Sequence, residues 1–200
     1  MPAVPSEHLD VQLQSLSANT TATTLKALVS GSPVLILAVR RPGCVLCRAQ
    51  AQRVWKRREE LEQLGFKLAC VVHQGLPAEV KAFTENFWTG ALYLDESKSL
   101  YKLIHGGRVK KGGILSFFNA KVRGMSCTGA ASNTMQQVWA RIRRATQEVE
   151  NHNLTGDGTT LGGILLFAKD GTSFKAFPEK DFGDYPEFEE VVAAAAKLKA

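Results

Sequence analysis

The sequence has little cysteine, few aromatic residues and no long apolar run. Of its 200 residues, four are cysteines and 8% are aromatic, and four cysteines are too few for a fold built on disulfides. No uninterrupted apolar run is longer than six residues, the length of VLILAV at 34–39, which is about a third of the roughly 20 residues that a membrane-spanning helix needs. The first Lys or Arg is Lys26, so no secretory signal is expected. We therefore expect no transmembrane segment and a cytoplasmic location, with a chloroplast or another organelle as the alternative.

The composition is that of an ordinary globular protein. Apolar residues make up 44% and charged residues 22%, which excludes a collagen-like or wholly disordered chain. A chain of this length predicts one domain, with or without an elaboration, that buries roughly 70% of its unfolded surface. Lys and Arg number 25 and Asp and Glu 19, a net charge of +6, which is too small to indicate nucleic-acid binding by itself.

The order of the apolar patterns predicts an α/β fold. The run at 34–39 is typical of a strand buried on both faces, and strands and helices alternate after it, which implies parallel strands with right-handed crossovers. An Asp-Gly turn at 170–171 predicts an antiparallel hairpin near the C-terminus. Asp184 and Glu187 resemble a capping box at the start of a final helix. Further strands are predicted at 66–72, 91–95, 163–168 and 173–177, and further helices at 45–64, 77–87 and 96–104.

These patterns divide the chain into an extension and a domain. Residues 1–22 are predicted to form an N-terminal extension with a short edge strand over 11–16, where apolar and polar residues alternate. Residues 23–200 are predicted to form the domain: a central mixed sheet flanked by helices, with a parallel half and a C-terminal antiparallel hairpin. The glycine-rich segment 105–160 interrupts the alternation, so we interpret it as a helical insertion, with a helix from about 132 to 151.

Two of the four cysteines form a CxxC motif at the start of a predicted helix. The sequence CVLC at 44–47 follows the buried strand and the turn RRPG. A helix N-terminus stabilises a thiolate, and Arg40, Arg41 and Arg48 bring cations within a few residues. We therefore predict that Cys44 is the exposed nucleophile, that its pKa is lowered, and that Cys47 resolves the mixed disulfide. Arg41 and Arg48 are the candidates for stabilising the thiolate.

The CxxC motif has two other interpretations, a structural zinc site and a coincidence of two cysteines in one helix. A structural zinc site needs four ligands, and the sequence has no second CxxC or HxxxH to complete one, so no metal site is expected. The two cysteines could also share a helix by coincidence. The preceding buried strand and turn favour redox chemistry over both.

Four segments of the sequence resemble a known family. They are AVRRPGCVLCR at 38–48, LYLDESKSLYK at 92–102, NLTGDGTTLGGILLF at 153–167 and FGDY at 182–185. Together they resemble the peroxiredoxin-like 2 family, also called the selenoprotein U family, some members of which carry selenocysteine at the position of Cys44. The resemblance implies a thioredoxin-like fold, an antioxidant or thiol-dependent reductive activity, and no bound cofactor. It also implies an external reductant of the thioredoxin or glutathione type, supplied ultimately by NADPH.

The sequence departs from related families at two places near the motif. Leu37 and Arg41 stand where true peroxiredoxins have a proline and a hydroxyl residue before the reactive cysteine. Gly162 and Gly163 stand near the place where thioredoxins have a cis-proline, and glycines allow a ligand to approach the backbone closely. Substrate contacts are therefore predicted at Pro42, Gly43, Gly162 and Gly163. The expected substrates are a small peroxide, an endoperoxide or a protein disulfide.

The remaining candidate residues are less informative. Cys70 lies within a predicted strand and is expected to be buried and inert, whereas Cys127 lies in a loop of small residues and is expected to be a free thiol. His73 and His105 are candidates for proton donors, although a histidine of this kind is more often purely structural.

Residues 98–144 carry ten Lys or Arg and no Asp or Glu. Such a segment could attract an anionic lipid-like substrate, a membrane surface or an acidic partner, or it could be a solvated face. Aromatic residues are not interleaved with these charges, so RNA binding is not expected.

The sequence thus predicts a thiol-dependent oxidoreductase that uses Cys44 and Cys47. Reduction of a prostaglandin endoperoxide or lipid peroxide, as some relatives perform, is the narrower alternative, and a hydrophobic pocket beside Cys44 bordered by the basic insertion would favour it. A redox-sensing interaction protein without turnover is the alternative from another class.

Overall fold

A computed structural model of the chain describes residues 2–18, 20–112, 140–147, 149 and 155–199. The strands are β1 (Gln12–Ser15), β2 (Thr23–Thr24), β3 (Val34–Ala38), β4 (Lys67–Val72), β5 (Ala91–Leu94), β6 (Gly163–Phe167) and β7 (Phe174–Pro178). The helices are α1 (Ser6–Leu9), α2 (Leu25–Leu28), α3 (Val45–Lys56), α4 (Arg58–Gln63), α5 (Pro77–Asn86), α6 (Ser99–Ile104), α7 (140–147) and α8 (Phe188–Lys199).

The seven strands form one mixed sheet in the order β2-β1-β5-β4-β3-β6-β7. Strands β3, β4 and β5 are parallel, and helices α3 to α5 provide the crossovers between them. Strands β6 and β7 form the antiparallel hairpin, and β6 pairs with β3. The predicted fold class is therefore confirmed. No described helix is long and apolar enough to cross a membrane.

Strand β3 lies inside the sheet, between β4 and β6, and contributes to the core on both faces. All five of its residues are buried, and successive side chains point to opposite faces because the pleat alternates. Leu35 and Leu37 join the apolar layer beneath α3, whereas Val34 and Ile36 join the layer on the opposite face. Burial on both faces explains the uninterrupted apolar run of β3. The site begins where this strand ends.

The N-terminal strand is part of the sheet, but it is not its edge. Strand β1 pairs with β5 on one side and with β2 on the other, so β2 occupies the edge. The edge position predicted for residues 11–16 is therefore wrong. Because β2 is only two residues long, its pattern was too short to predict a strand.

Two helix boundaries also differ from the prediction. The helix predicted over 45–64 is divided into α3 and α4 at Arg57, whose side chain bonds Glu60 and Glu189 and stacks on Phe188. The final helix begins at Phe188 rather than at Asp184, because the N–H of Val191 bonds the Glu187 carbonyl, four residues back, which makes Glu187 the last residue before the helix. The Asp184 carboxylate accepts a hydrogen bond from Arg141 of α7.

The predicted insertion 105–160 is described in part. Ala145 and Val149 pack against Leu46 and Ala49 of α3, which places α7 against the helix that carries the CxxC motif. Most of the segment, including Cys127 and part of the basic stretch at 98–144, lies outside the described residues.

Candidate active site

The CxxC motif lies where β3 ends and α3 begins. Cys44 is the residue before the first turn of α3 and has an extended backbone, with φ −77° and ψ 127°. Its carbonyl accepts the N–H of Arg48 at 2.9 Å, which is the first hydrogen bond of the helix. Cys44 is partly exposed, whereas Cys47, one turn further on, is fully buried. The motif therefore pairs a partly exposed residue, Cys44, with a buried one, Cys47.

Two buried side chains hold the turn before Cys44. The Glu79 carboxylate of α5 accepts the N–H of Gly43 at 3.1 Å, and Arg48 Nε donates to the Pro42 carbonyl at 2.7 Å. The Arg48 guanidinium also lies over the Phe87 ring, 5.1 Å from its centre. The backbone of Pro42 and Gly43, where substrate contacts were predicted, is thus bonded to the protein itself.

The two sulfurs have opposite acid–base properties. The Cys47 S–H donates a hydrogen bond to Cys44, which is the largest cause lowering the pKa of Cys44 from 9.0 to about 5. Burial opposes this shift, whereas the charges of Arg40 and Arg41 and the backbone N–H of Cys47 support it. Burial and the negative Cys44 sulfur raise the pKa of Cys47 well above its usual value. Cys44 is therefore the thiolate, and Cys47 stays protonated beside it.

The cations at the site are arranged differently from the prediction. Arg40 has the larger effect on the Cys44 pKa, and Arg41 the smaller. Arg41 lies 3.7 Å from the Glu79 carboxylate. Arg48 Nε is bonded to Pro42, so Arg48 holds the turn, while its charge also acts on Cys44. Its predicted role in stabilising the thiolate stays a prediction.

Arg40 is anchored by a glutamate that sequence reasoning missed. Its guanidinium lies 3.6 Å from the buried Glu179 carboxylate and 4.9 Å from the centre of the Phe182 ring. Glu179 also accepts the N–H groups of Gly162 at 3.0 Å and Gly183 at 2.7 Å. Glu179 thereby ties β6 and the segment after β7 to the cation beside Cys44. In the sequence, the only indication that this segment belongs to the site was the FGDY match to the family at 182–185.

The close approach predicted at the two glycines is made by the protein's own backbone. A Cβ on Gly162 would lie 2.0 Å from the Ala38 carbonyl oxygen, and one on Gly163 would lie 2.4 Å from that of Phe177. Gly163 also has φ +153°, which few other residues adopt. The packing of β3, β6 and β7 therefore accounts for both glycines, and the substrate contact at Gly162 and Gly163 stays a prediction.

A cleft of about 620 Å³ runs beside α3 and the segment after β7. It is polar and arginine-rich, rather than the hydrophobic pocket that would favour a lipid substrate. Its lining includes four arginines, three acidic residues and two aromatic residues: Arg53, Arg57, Arg141, Arg144, Asp184, Glu187, Glu189, Tyr185 and Phe188.

The other candidate residues lie away from the sulfurs or are inert. Cys70 is buried in β4, and burial raises its thiol pKa well above the usual value. His105 Nε2 is 3.2 Å from the Leu161 carbonyl, and His73 packs edge-on against Tyr101. Burial lowers the pKa of both histidines. No group of three His, Cys, Asp or Glu side chains that could hold a metal lies within the part of the chain that the structure describes.

The architecture and the cysteine pair together define a class of protein. A central parallel βαβ unit, an antiparallel hairpin beside β3 and a CxxC motif at the start of α3 are the features of a thioredoxin-like protein. Comparison with solved structures supports this at the level of the fold. A cysteine-to-serine mutant of peroxiredoxin 6 of Arenicola marina superposes with a TM-score of 0.58 at 11% identity, covering 95% of this chain and 70% of that chain. Peroxiredoxin Q of Xanthomonas campestris gives 0.55 at 13% identity, covering 98% and 97%.

Comparison with families and characterised relatives identifies the family. The model of the AhpC/TSA antioxidant enzyme family matches residues 53–181, a region that begins after the CxxC motif. Peroxiredoxin-like 2A of Bos taurus is 31% identical over 197 residues, covering 95% of this chain and 78% of the relative. Peroxiredoxin-like 2A of Danio rerio is 29% identical over 198 residues, covering 98% and 84%. The chain belongs to the AhpC/TSA antioxidant family and, within it, to the peroxiredoxin-like 2 family, as the four sequence segments predicted.

Proposed function

We propose that the protein is a thiol-dependent oxidoreductase that uses Cys44 as nucleophile and Cys47 as resolving thiol. The observation that carries this proposal is the asymmetry of the two sulfurs: Cys44 is partly exposed with a pKa of about 5, and Cys47 is buried and protonated. A thiol with that pKa is about 99% ionised at pH 7, whereas an ordinary cysteine is only a few per cent ionised. Membership in an antioxidant family supports redox chemistry at this site.

The reaction cycle follows from the positions of the sulfurs. The Cys44 thiolate attacks an oxidised substrate, either a peroxide or a disulfide, and becomes covalently modified. Cys47 then attacks the Cys44 sulfur, which forms a Cys44–Cys47 disulfide and releases the substrate-derived group. An external dithiol of the thioredoxin type, or two molecules of a glutathione-type thiol, returns two electrons and two protons to the pair. A reducing compartment such as the cytoplasm would supply this reductant.

Steady-state turnover tests the proposal. We expect continuous NADPH oxidation when the reduced protein is coupled to thioredoxin and thioredoxin reductase, or to glutathione and its reductase, with a hydroperoxide or a protein disulfide as oxidant. Cys44→Ser should abolish this turnover, whereas the matched variant Cys70→Ala, at the buried thiol in β4, should retain it. Unchanged turnover in Cys44→Ser would refute the nucleophile assignment. A single stoichiometric burst in the wild type would instead indicate a redox sensor.

A further inference from the structure

A second cleft, the basic cleft, has a volume of about 560 Å³ and lies at the C-terminal end of α6. Its lining consists of four cations, one histidine and three apolar residues: Arg108, Lys110, Lys111, Lys180, His105, Ile104, Val109 and Pro178. No aspartate or glutamate is among these described lining residues. The cleft beside α3 differs, because three acidic residues accompany its four arginines.

The four cations of the basic cleft are exposed, and none forms an ion pair within the described part of the chain. Residues 98–144 contain no Asp or Glu, so the adjoining stretch of sequence supplies no carboxylate either. Burial lowers the pKa of His105, and the positive charge of Lys110 adds to that shift. Charges of one sign that lie close together repel one another, and a bound anion would relieve that repulsion.

The backbone of the basic cleft is tied to the sheet on both sides. On one side, the Lys110 carbonyl accepts the N–H of Leu161 at 2.8 Å. On the other side, Pro178 is paired with Gly163, which is itself paired with Ala38. The cleft therefore lies at the same end of the sheet as the CxxC motif, but beside α6, which packs on the face opposite α3. Because its walls are held in this way, the cleft exists before a ligand binds.

Charge, size and residue type indicate the class of ligand. Two phosphate groups together carry about three to four negative charges at neutral pH, which matches the four cations. Ligand sites have volumes of roughly 300–1,000 Å³, so the basic cleft has room for such a molecule. Three of the four cations are lysines, which bind phosphate as point charges, whereas the planar guanidinium of arginine is preferred for carboxylates.

We propose that the basic cleft binds an anion with two phosphate groups, either a soluble diphosphate or the headgroup of a membrane lipid. The site is separate from the cysteine pair and does not depend on the proposed oxidoreductase function. It gives part of the basic stretch at 98–144 a specific ligand, where the sequence alone left several partners and a solvated face as alternatives.

The test is isothermal titration calorimetry of the full chain with inorganic pyrophosphate in about 0.1 M salt. We expect the double variant Lys110→Gln/Lys180→Gln, which removes one cation from each wall, to raise the Kd at least about tenfold, since two charge-assisted contacts are lost. The matched control Lys56→Gln/Lys67→Gln removes the same charge at exposed lysines where α3 ends and β4 begins. It should change the Kd less than about twofold, because distant charges are screened.

Two further anions test the class of ligand. Inorganic phosphate has one phosphate group, and citrate has a similar charge to pyrophosphate but carries it on carboxylates. Both should bind at least about tenfold more weakly than pyrophosphate.

Vesicle sedimentation distinguishes the two sources of the phosphate groups. Co-sedimentation with phosphatidylcholine vesicles that contain phosphatidylinositol 4,5-bisphosphate, lost in Lys110→Gln/Lys180→Gln, supports a lipid headgroup as the ligand. Pyrophosphate binding without co-sedimentation supports a soluble diphosphate.

Three results would overturn the inference. The absence of pyrophosphate binding up to about 1 mM would show that the basic cleft is a solvated face. Equal weakening in both double variants would show a general attraction of anions to the protein. Citrate binding as tight as that of pyrophosphate would show that the cleft selects charge and not phosphate.

Discussion

Replacing Cys47 with alanine removes the donor that lowers the pKa of Cys44 most. A hydrogen bond to a charged group contributes about 1.5–3 kcal/mol, and one pKa unit corresponds to about 1.4 kcal/mol. Cys47→Ala should therefore raise the Cys44 pKa by about 1–2 units, from about 5 to roughly 6–7. At pH 5.5 the ionised fraction would fall from about three quarters to about one tenth for a pKa near 6.5, so alkylation would slow about eightfold.

The assay is the rate of iodoacetamide alkylation of Cys44 between about pH 4 and pH 9, followed by peptide mass spectrometry so that other thiols do not contribute. Cys47→Ser is the matched control, because its hydroxyl can donate the same hydrogen bond, and its midpoint should stay at or below that of the wild type. A Cys47→Ala midpoint within about half a unit of the wild-type value would refute the reasoning. Arg40 and the helix terminus would then be the main causes of the low pKa.

Two further predictions concern stability. Gly162→Ala should lower the free energy of unfolding by more than about 3 kcal/mol in urea denaturation, because its Cβ would overlap the Ala38 carbonyl. Gly158→Ala, where the nearest atom is 3.4 Å away, should change it by less than about 1 kcal/mol, and equal effects would contradict the packing argument. Burial lowers the pKa of His73 below its usual 6.5, so the unfolded state binds more protons as the pH falls below that value. The wild type should therefore lose more stability than His73→Gln between about pH 7.5 and pH 5, and parallel losses would refute the assignment.

The sheet and the position of the cysteine pair were predictable because their determinants are local in sequence. The apolar run at 34–39 has no polar position, so only a strand buried on both faces accommodates it. The CxxC motif follows this strand within five residues, and the position of Cys44 at the start of α3 follows from that spacing. The confirmed fold class and the low pKa of Cys44 both derive from these neighbouring residues.

The supports of the site were not predictable because they come from distant parts of the chain. Glu79 bonds Gly43 across 36 positions, and Glu179 reaches Arg40 from beyond the insertion. In the sequence, the neighbours of a buried glutamate do not differ from those of an exposed one. Only the folded structure therefore shows that Glu79 and Glu179 are buried at the site.

In the proposed cycle, the complete burial of Cys47 limits which sulfur each reactant can reach. An incoming dithiol would reach the Cys44–Cys47 disulfide only at the Cys44 sulfur, the atom that is also proposed to react with the oxidant. Oxidant and reductant therefore compete for one approach and cannot form a ternary complex. Double-reciprocal plots should consist of parallel lines, the pattern of a ping-pong cycle. An excess of reductant should slow turnover, because the reductant then blocks the approach of the oxidant to the Cys44 sulfur.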